Sequence, residues 1–284
     1  MAASEPCARP KPAFVYMVRC TGGTLYTGWT TDPAVRLHAH KSGKGAKCTR
    51  ALGAQRFAYL ERCTDKSAAL RREAALKKLT KAQKETLCAE WAEKNLPRLS
   101  LATRADAAEI LDIYNWYVLH HTATFQVTPS SLPEYEDWVD STRALIPLLL
   151  ARDGDGKLLG YACAHRYHPR EAYDWAVEST IYCAPDARGF GVGDTLYRAL
   201  LDILDGMGYW NVYALVADPN PASERIHARL GFTCVGREPH TAYKFGWLGL
   251  STWWLPLRRG NEKPEPTHPL TQEQVEEILG RYQA

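Results

Sequence analysis

No apolar run in this chain approaches the roughly 18 residues needed to cross a bilayer as a helix. The longest, such as Ala144 to Ala151, are short and set in mixed sequence. Met1 to Pro10 lacks the apolar stretch of a secretory leader. The eight cysteines (7, 20, 48, 63, 88, 163, 183 and 234) include no C-x-x-C pair. Without that spacing, neither a zinc ribbon nor a redox motif is signalled. The thiols read as reduced structural residues of a cytoplasmic chain. There is no internal repeat. A membrane protein, a secreted chain and a disordered tail are therefore all disfavoured.

What is present is an ordinary globular composition, 45% hydrophobic and 24% charged over 284 residues. At about 100–200 residues per domain, that length suggests two domains. The net charge of +3 conceals an asymmetry: residues 1–100 hold 19 Lys and Arg against 8 Asp and Glu, and the remaining 184 hold 16 against 24. A basic block of that size attracts polyanions and points to nucleic acid, DNA in the first instance. The acidic remainder implies a different partner.

The first segment reads as a hairpin, Phe14–Cys20 and Thr24–Trp29 around Thr21-Gly-Gly23. Asp32-Pro33 then starts a helix to Lys41. A loop rich in Gly, Lys and Ser (Ser42–Arg50) leads to a strand at Phe57–Glu61 and helices at Lys66–Leu79 and Lys81–Glu93. Asn95-Leu-Pro97 marks the break. Beyond it come a strand at Leu99–Thr103, a helix with Asp106 near its start, and a helix at Leu132–Ser141. Strands at Ile146–Arg152, Leu158–Tyr167 and Ala176–Cys183 precede a helix at Val192–Met207. A strand (Trp210–Val216), a helix (Ser223–Leu230) and late strands to Leu257 complete an α+β pattern. Arg258–Pro269 reads as a linker, and Thr271–Tyr282 as a short amphipathic helix.

In the basic segment the chemically loaded residues are Tyr16, Tyr26, Arg36, His40 and Glu73. Tyrosines on paired strands can converge on one face, and Arg36 and His40 are neighbours on one helix face. An arginine stabilises charge building on a phosphoryl group, a carboxylate holds Mg²⁺ or Mn²⁺, and a phenol or imidazole takes a proton from water. Singly, each has a plainer reading: strand tyrosines pack, and Glu73 with Lys77 is an ordinary i,i+4 pair.

Together, Val15-Tyr16-Met17, Leu25-Tyr26-Thr27-Gly28, Asp32 to His40, Ser42 to Lys47 and Arg72 to Leu79 resemble the GIY-YIG nuclease family. That resemblance implies Tyr26 as general base or its partner, Tyr16 as a positioning group and Arg36 on the phosphate. It further implies Glu73 on a divalent metal, Mg²⁺ or Mn²⁺, and His40 in proton transfer. Lys41, Lys44, Lys47 and Arg50 read as phosphate contacts.

The sharpest feature of the second segment is Ile181-Tyr-Cys-Ala-Pro-Asp-Ala-Arg188-Gly-Phe-Gly191-Val-Gly193, leading from strand into helix. Glycines at alternate positions bring backbone N–H groups to a ligand, and the helix end adds positive potential, which suits a pyrophosphate. A dinucleotide fingerprint wants G-x-G-x-x-G after an opening strand, and the spacing here differs. Arg188 to Gly193, with Pro219-Asn220-Pro to Gly231-Phe232, resembles GNAT-family N-acetyltransferases. Thr122-Ala-Thr-Phe125, Arg170-Glu-Ala-Tyr173-Asp-Trp175, Glu178-Ser-Thr-Ile-Tyr182 and Lys244-Phe-Gly-Trp247 resemble the phosphinothricin and methionine-sulfone acetyltransferase branch.

By that resemblance Glu178 is the general base, and the backbone of Ile181, Tyr182 and Cys183 holds the thioester end of acetyl-CoA. Arg188, Gly189, Phe190, Gly191, Val192 and Gly193 bind its pyrophosphate, and Asn220 its pantetheine arm. Phe125, Arg170 and Tyr173 shape an amino-acid pocket. A partly buried carboxylate at Glu178 suits the base role, because acetyl transfer needs the neutral amine.

The expectation is a GIY-YIG α/β sandwich at 12–95, a mixed-sheet GNAT domain at 99–258, and a linker with a short helix at 259–284. The second domain is expected to acetylate a small primary amine, with a homodimer formed through it. The first is expected to cleave phosphodiesters. The rival expectation is a non-cleaving nucleic-acid module that recruits a macromolecule to the acetyltransferase.

Overall fold

The computed structural model describes residues 13–187 and 191–282. It separates into two compact units, Met1–Leu96 and Pro97–Ala284, taken in turn below.

The first unit is built on β1 (Ala13–Cys20), β2 (Leu25–Thr30) and β3 (Ala54–Cys63) in the antiparallel order β2-β1-β3. Between β2 and β3 lie α1 (Pro33–Lys41) and α2 (Lys47–Leu52); α3 (Lys66–Lys78) and α4 (Lys81–Asn95) follow. The caps are written in the sequence. Asp32 accepts from the Val35 N–H, Asp65 from the Ala68 N–H, and Thr80 with Gln83 makes a reciprocal capping box. Val15 and Met17 bury one face of β1 among Ala69, Leu76 and Cys88 of the helices. Arg19 ties β1 to α4 through a two-bond ion pair with Glu85, 2.8 and 2.6 Å. The expected Gly-Lys-Ser loop is half helical, because α2 turns where Thr49 donates to the Ala46 carbonyl at 2.9 Å and meets His40.

In the second unit β4 (Arg98–Leu101), α5 (Ala107–His120), α6 (Leu132–Leu145), β5 (Leu149–Arg152) and β6 (Leu158–Arg166) precede β7 (Ala176–Cys183). Then come α7 (Val192–Gly206), β8 (Asn211–Asp218), α8 (Pro221–Leu230), β9 (Thr233–Tyr243), β10 (Trp247–Pro256) and α9 (Gln272–Gly280). The sheet order is β4-β5-β6-β7-β8-β10-β9. Only β7 and β8 run parallel, since α7 carries the crossover between them. The α6 helix runs on to Leu145, so Ile146–Leu148, expected in a strand, lies outside β5.

Tyr182 of β7 meets Tyr114 and Tyr117 of α5, whereas Ser179 meets Tyr197 of α7. Three residues apart on a strand, these side chains point to opposite faces, so α5 and α7 cover the sheet from two sides. Leu196, Tyr197, Leu200, Ile203 and Leu204 of α7 are fully buried. Side chains of that size each contribute about 1.5–3 kcal/mol. Lys244, buried at the β9–β10 turn, donates to the carbonyls of Tyr117 and Thr124 at 3.2 and 2.9 Å, fixing the end of α5.

The expected linker has no regular structure but is fastened along its length. Arg258 meets Asp205, the Trp175 indole donates to the Glu265 carbonyl, and the His268 N–H bonds to Met207. Val275, Ile278 and Leu279 of α9 then enter the core shared with α7. Leu279→Ala is expected to lower the stability of this unit by about 2–4 kcal/mol. Glu276→Ala, on the exposed side, should change it by less than about 0.5 kcal/mol in the same urea titration read by tryptophan fluorescence.

Candidate functional site

The first constellation sits on β1, β2 and α1. Register places Tyr16 opposite Gly28 and Val18 opposite Tyr26, so the tyrosines are diagonal neighbours on one face, ring centres 6.3 Å apart. Tyr16 is fully buried. Its oxygen accepts from Arg36 Nε at 3.0 Å and lies 2.8 Å from His40 Nε2. On the far side of the ring, His40 Nδ1 is 2.6 Å from Thr49 Oγ1, which itself donates to the Ala46 carbonyl.

This fixes the protons. Thr49 has spent its hydrogen, so His40 Nδ1–H donates to it, Nε2 accepts, and Tyr16 O–H is the donor. Burial and the adjacent Arg36 charge hold the His40 pKa below its ordinary value. Burial raises that of Tyr16, opposed by Arg36. A Cβ on Gly28 would stand 2.6 Å from the Tyr16 oxygen, so only glycine there leaves room for that hydroxyl.

Glu73 reaches this group from α3. Its side chain is 14% exposed, and its carboxylate pairs with Lys77 Nζ at 2.7 Å and is near enough to act on the Tyr16 phenol. The i,i+4 pair with Lys77 is thus present. Among the described residues no group of three His, Cys, Asp or Glu side chains forms a metal cage. A lone carboxylate still suits Mg²⁺, which keeps several waters and uses one or two carboxylates beside a phosphate.

The second constellation is organised by β7. Its parallel register with β8 consists of Ala176↔Asn211, Val177↔Val212 and Glu178↔Tyr213, and there it stops. The register with β6 continues to Gly160↔Cys183. Beyond Glu178 the two strands therefore part, and the backbone of Ile181, turned away from β6, faces the gap. Glu178 sits at the parting. Its side chain is 21% exposed, and burial raises its pKa, with His165 acting the other way. His165 Nε2 lies 3.9 Å from its carboxylate, as the register His165↔Glu178 requires.

Past the strand, Gly191 caps α7 with φ +84°. A Cβ on Gly193 would meet Ile226 at 3.2 Å and the Cys183 sulfur at 3.4 Å, so a glycine there lets the start of α7 close on β7 and α8. Arg188, Gly189 and Phe190 lie outside the described residues. Asn220 caps α8 by accepting from the Ser223 N–H at 3.2 Å.

Arg170 and Tyr173 occupy the exposed loop before β7. Tyr173 joins His168 and Tyr167, ring centres 4.7 and 6.1 Å away, and Tyr167 stacks on Tyr213 at 4.2 Å. Phe125 lies on another loop, after α5; the ring contacts of Tyr173 among the described residues do not include it. Sequence reasoning missed His165, Tyr167 and Tyr213. Alternation along Leu158–Tyr167 puts the first two on one face, yet only the register brings His165 opposite Glu178 and Tyr167 onto Tyr213.

His40 and His227 both have a pKa held below 6.5, chiefly by burial. The folded chain then binds fewer protons than the unfolded one just below that value. Stability is expected to be full above pH 6.5 and to fall as pH drops through the window beneath it. NMR titration of the imidazoles should give midpoints below 6.5 for both, and Arg36→Ala should move His40 upward.

The geometry can be set beside known proteins. Residues 12–86 match the model of the GIY-YIG catalytic domain, and residues 110–232 that of the acetyltransferase (GNAT) family. A phosphinothricin N-acetyltransferase of Streptomyces viridochromogenes is 35% identical over 170 residues, 60% of this chain and 90% of that protein. The L-methionine sulfoximine/L-methionine sulfone acetyltransferase of Pseudomonas aeruginosa is 37% identical over 155 residues, 54% of this chain and 90% of that one. Among solved structures, a GNAT phosphinothricin acetyltransferase from Sinorhizobium meliloti in complex with AcCoA aligns with a TM-score of 0.58 at 33% identity. It covers 60% of this chain and 94% of its own. The chain belongs to the GNAT family of acetyltransferases and carries at its N-terminal side a region matching the GIY-YIG catalytic domain.

Proposed function

We propose that the second unit transfers the acetyl group of acetyl-CoA to the primary amine of a small amino-acid-like substrate. One observation carries the reading: a largely buried carboxylate, Glu178, stands at the last register pair before β7 and β8 part, on the strand that leads to the Gly191 turn. Acetyl-CoA supplies the activated acyl group. Glu178, with its raised pKa, takes a proton from the substrate ammonium. The freed amine forms the new C–N bond, the C–S bond breaks, and CoA leaves as a thiolate that takes up a proton.

The remaining roles follow the same division. The stretch Ile181, Tyr182 and Cys183 would hold the thioester arm, chiefly through the Ile181 backbone, which is turned away from β6. The N–H groups of Gly191, Val192 and Gly193 at the start of α7 suit a pyrophosphate, and Arg188, Gly189 and Phe190 are proposed to bind it with them. Asn220 spends its oxygen on capping, which leaves its amide donor for the pantetheine. The relatives named for phosphinothricin and methionine sulfone point to an amino acid with an oxidised phosphorus or sulfur group. Arg170 would meet such a group, with Tyr173 and Phe125 shaping the pocket.

For the first unit the reading is phosphodiester cleavage of DNA assisted by Mg²⁺ or Mn²⁺. Arg36 would bear on the phosphate, and Tyr26, less enclosed than Tyr16, would take the proton from water. Tyr16 is better suited to hold Arg36 and His40 in place. Glu73 would hold the metal, whose chemistry there is charge neutralisation at the phosphate.

Two measurements test these readings. CoA release against free amino acids, phosphinothricin and methionine sulfone should show saturable turnover, with an acid limb set above the usual carboxylate range. Glu178→Gln is expected to lower kcat about 10²–10⁴-fold and to abolish that limb; an unchanged pH profile removes Glu178 as base. Plasmid nicking with Mg²⁺ or Mn²⁺ should fall at least about 100-fold in Glu73→Ala and in Arg36→Ala. Salt-sensitive DNA binding without nicking under either metal would leave the first unit as a binding module only.

A further inference from the structure

The parting of β7 and β8 needs a cause, since two strands in register tend to continue pairing. The residue after the last pair is Ser179, nearly buried, whose hydroxyl lies 3.0 Å from the Tyr213 carbonyl and 2.6 Å from the Tyr197 hydroxyl. Tyr197 belongs to α7 and is fully buried. Its hydroxyl is also 3.0 Å from Nε2 of His227 on α8, whose Nδ1 is 2.8 Å from the Ser223 carbonyl.

The protons of this chain can be assigned. A carbonyl only accepts, so His227 Nδ1–H donates to Ser223 and Nε2 is left as acceptor. Tyr197 O–H fills it. The single Ser179 hydrogen then goes either to the Tyr197 oxygen at 2.6 Å or to the Tyr213 carbonyl at 3.0 Å. The result is one oriented, buried run of hydrogen bonds from the strand junction to the first turn of α8.

We propose that Ser179, Tyr197 and His227 are positioning residues that hold the acetyl-CoA site in shape. The hydroxyl of Ser179 meets the Tyr213 carbonyl at the last rung of the ladder and so stands as a polar wedge where β7 and β8 part. Through Tyr197 the wedge is locked to α7, two turns from the Gly191 cap, and through His227 to the helix that Asn220 begins. The strand edge, the glycine turn and the capping asparagine are the three parts assigned to acetyl-CoA, and this chain fixes them to one another. Buried polar groups that are fully satisfied specify a single arrangement, whereas breaking one link leaves its partners unpaired.

The inference rests on acetyl-CoA being the ligand of that cleft, and calorimetry on the full chain separates the two claims. The unmodified chain should bind acetyl-CoA; no binding would overturn the ligand and the inference together. Tyr197→Phe keeps the ring and removes two bonds, and Ser179→Ala breaks the chain at its other end. Each is expected to raise the acetyl-CoA Kd about tenfold, with the double variant little worse than either single one and the amine KM changed by less than about twofold.

Tyr161→Phe is the control. It removes a buried hydroxyl pair with Tyr135, 3.2 Å apart on the opposite face, and should lower the melting temperature while leaving the Kd unchanged. An unchanged Kd in both chain variants, or an equal rise in Tyr161→Phe, would overturn the proposal.

Discussion

The end of the β7–β8 ladder at Glu178 is the constraint on which the second unit depends. Parallel strands in a sheet ordinarily share their full length, and each lost rung leaves two backbone groups to satisfy elsewhere. Here the sheet gives up pairing over most of two eight-residue strands. The loss is contained because β6 holds β7 along its other edge and β10 holds β8 through its whole length. A cleft inside a continuous sheet is thereby rigid on both walls. Its floor is the point where the carboxylate stands.

Burial acts alike on the chemical groups of both units, favouring the neutral form of each. At Glu178 it favours the protonated acid, so the carboxylate is a stronger base than one in water. At Tyr16 the same effect favours the neutral phenol, and at His40 the neutral imidazole. A network of neutral groups around one guanidinium has its hydrogen bonds oriented in one sense only. That leaves Arg36 as the charged group bonded directly to the Tyr16 phenol.

Much of this was legible in the sequence because it is local. Asp32-Pro33 announces a helix start by its own side-chain chemistry, and β7 runs between the residues expected; the Asn220 cap escaped, so α8 opens at Pro221 rather than at the expected Ser223. The α2 helix was not legible: Lys47–Leu52 has no side-chain cap, and it forms where Thr49 meets His40, a contact nine residues away in sequence. His165, Tyr167 and Tyr213 escaped for a related reason. Their place beside Glu178 depends on strand register, which is set by three neighbouring strands at once. Family resemblance supplied Glu178 itself, yet not His165, whose charge opposes the effect of burial on it.

Gly28 carries a different lesson. Its backbone does not need glycine, for its φ lies outside the left-handed range; the side chain across the ladder needs it, since a methyl group would collide with the Tyr16 hydroxyl. The first and second sequence words of this unit are thus two halves of a single spatial statement. Whoever compares such sequences by scoring the words separately counts one steric fact twice, and whoever redesigns one word inherits the other.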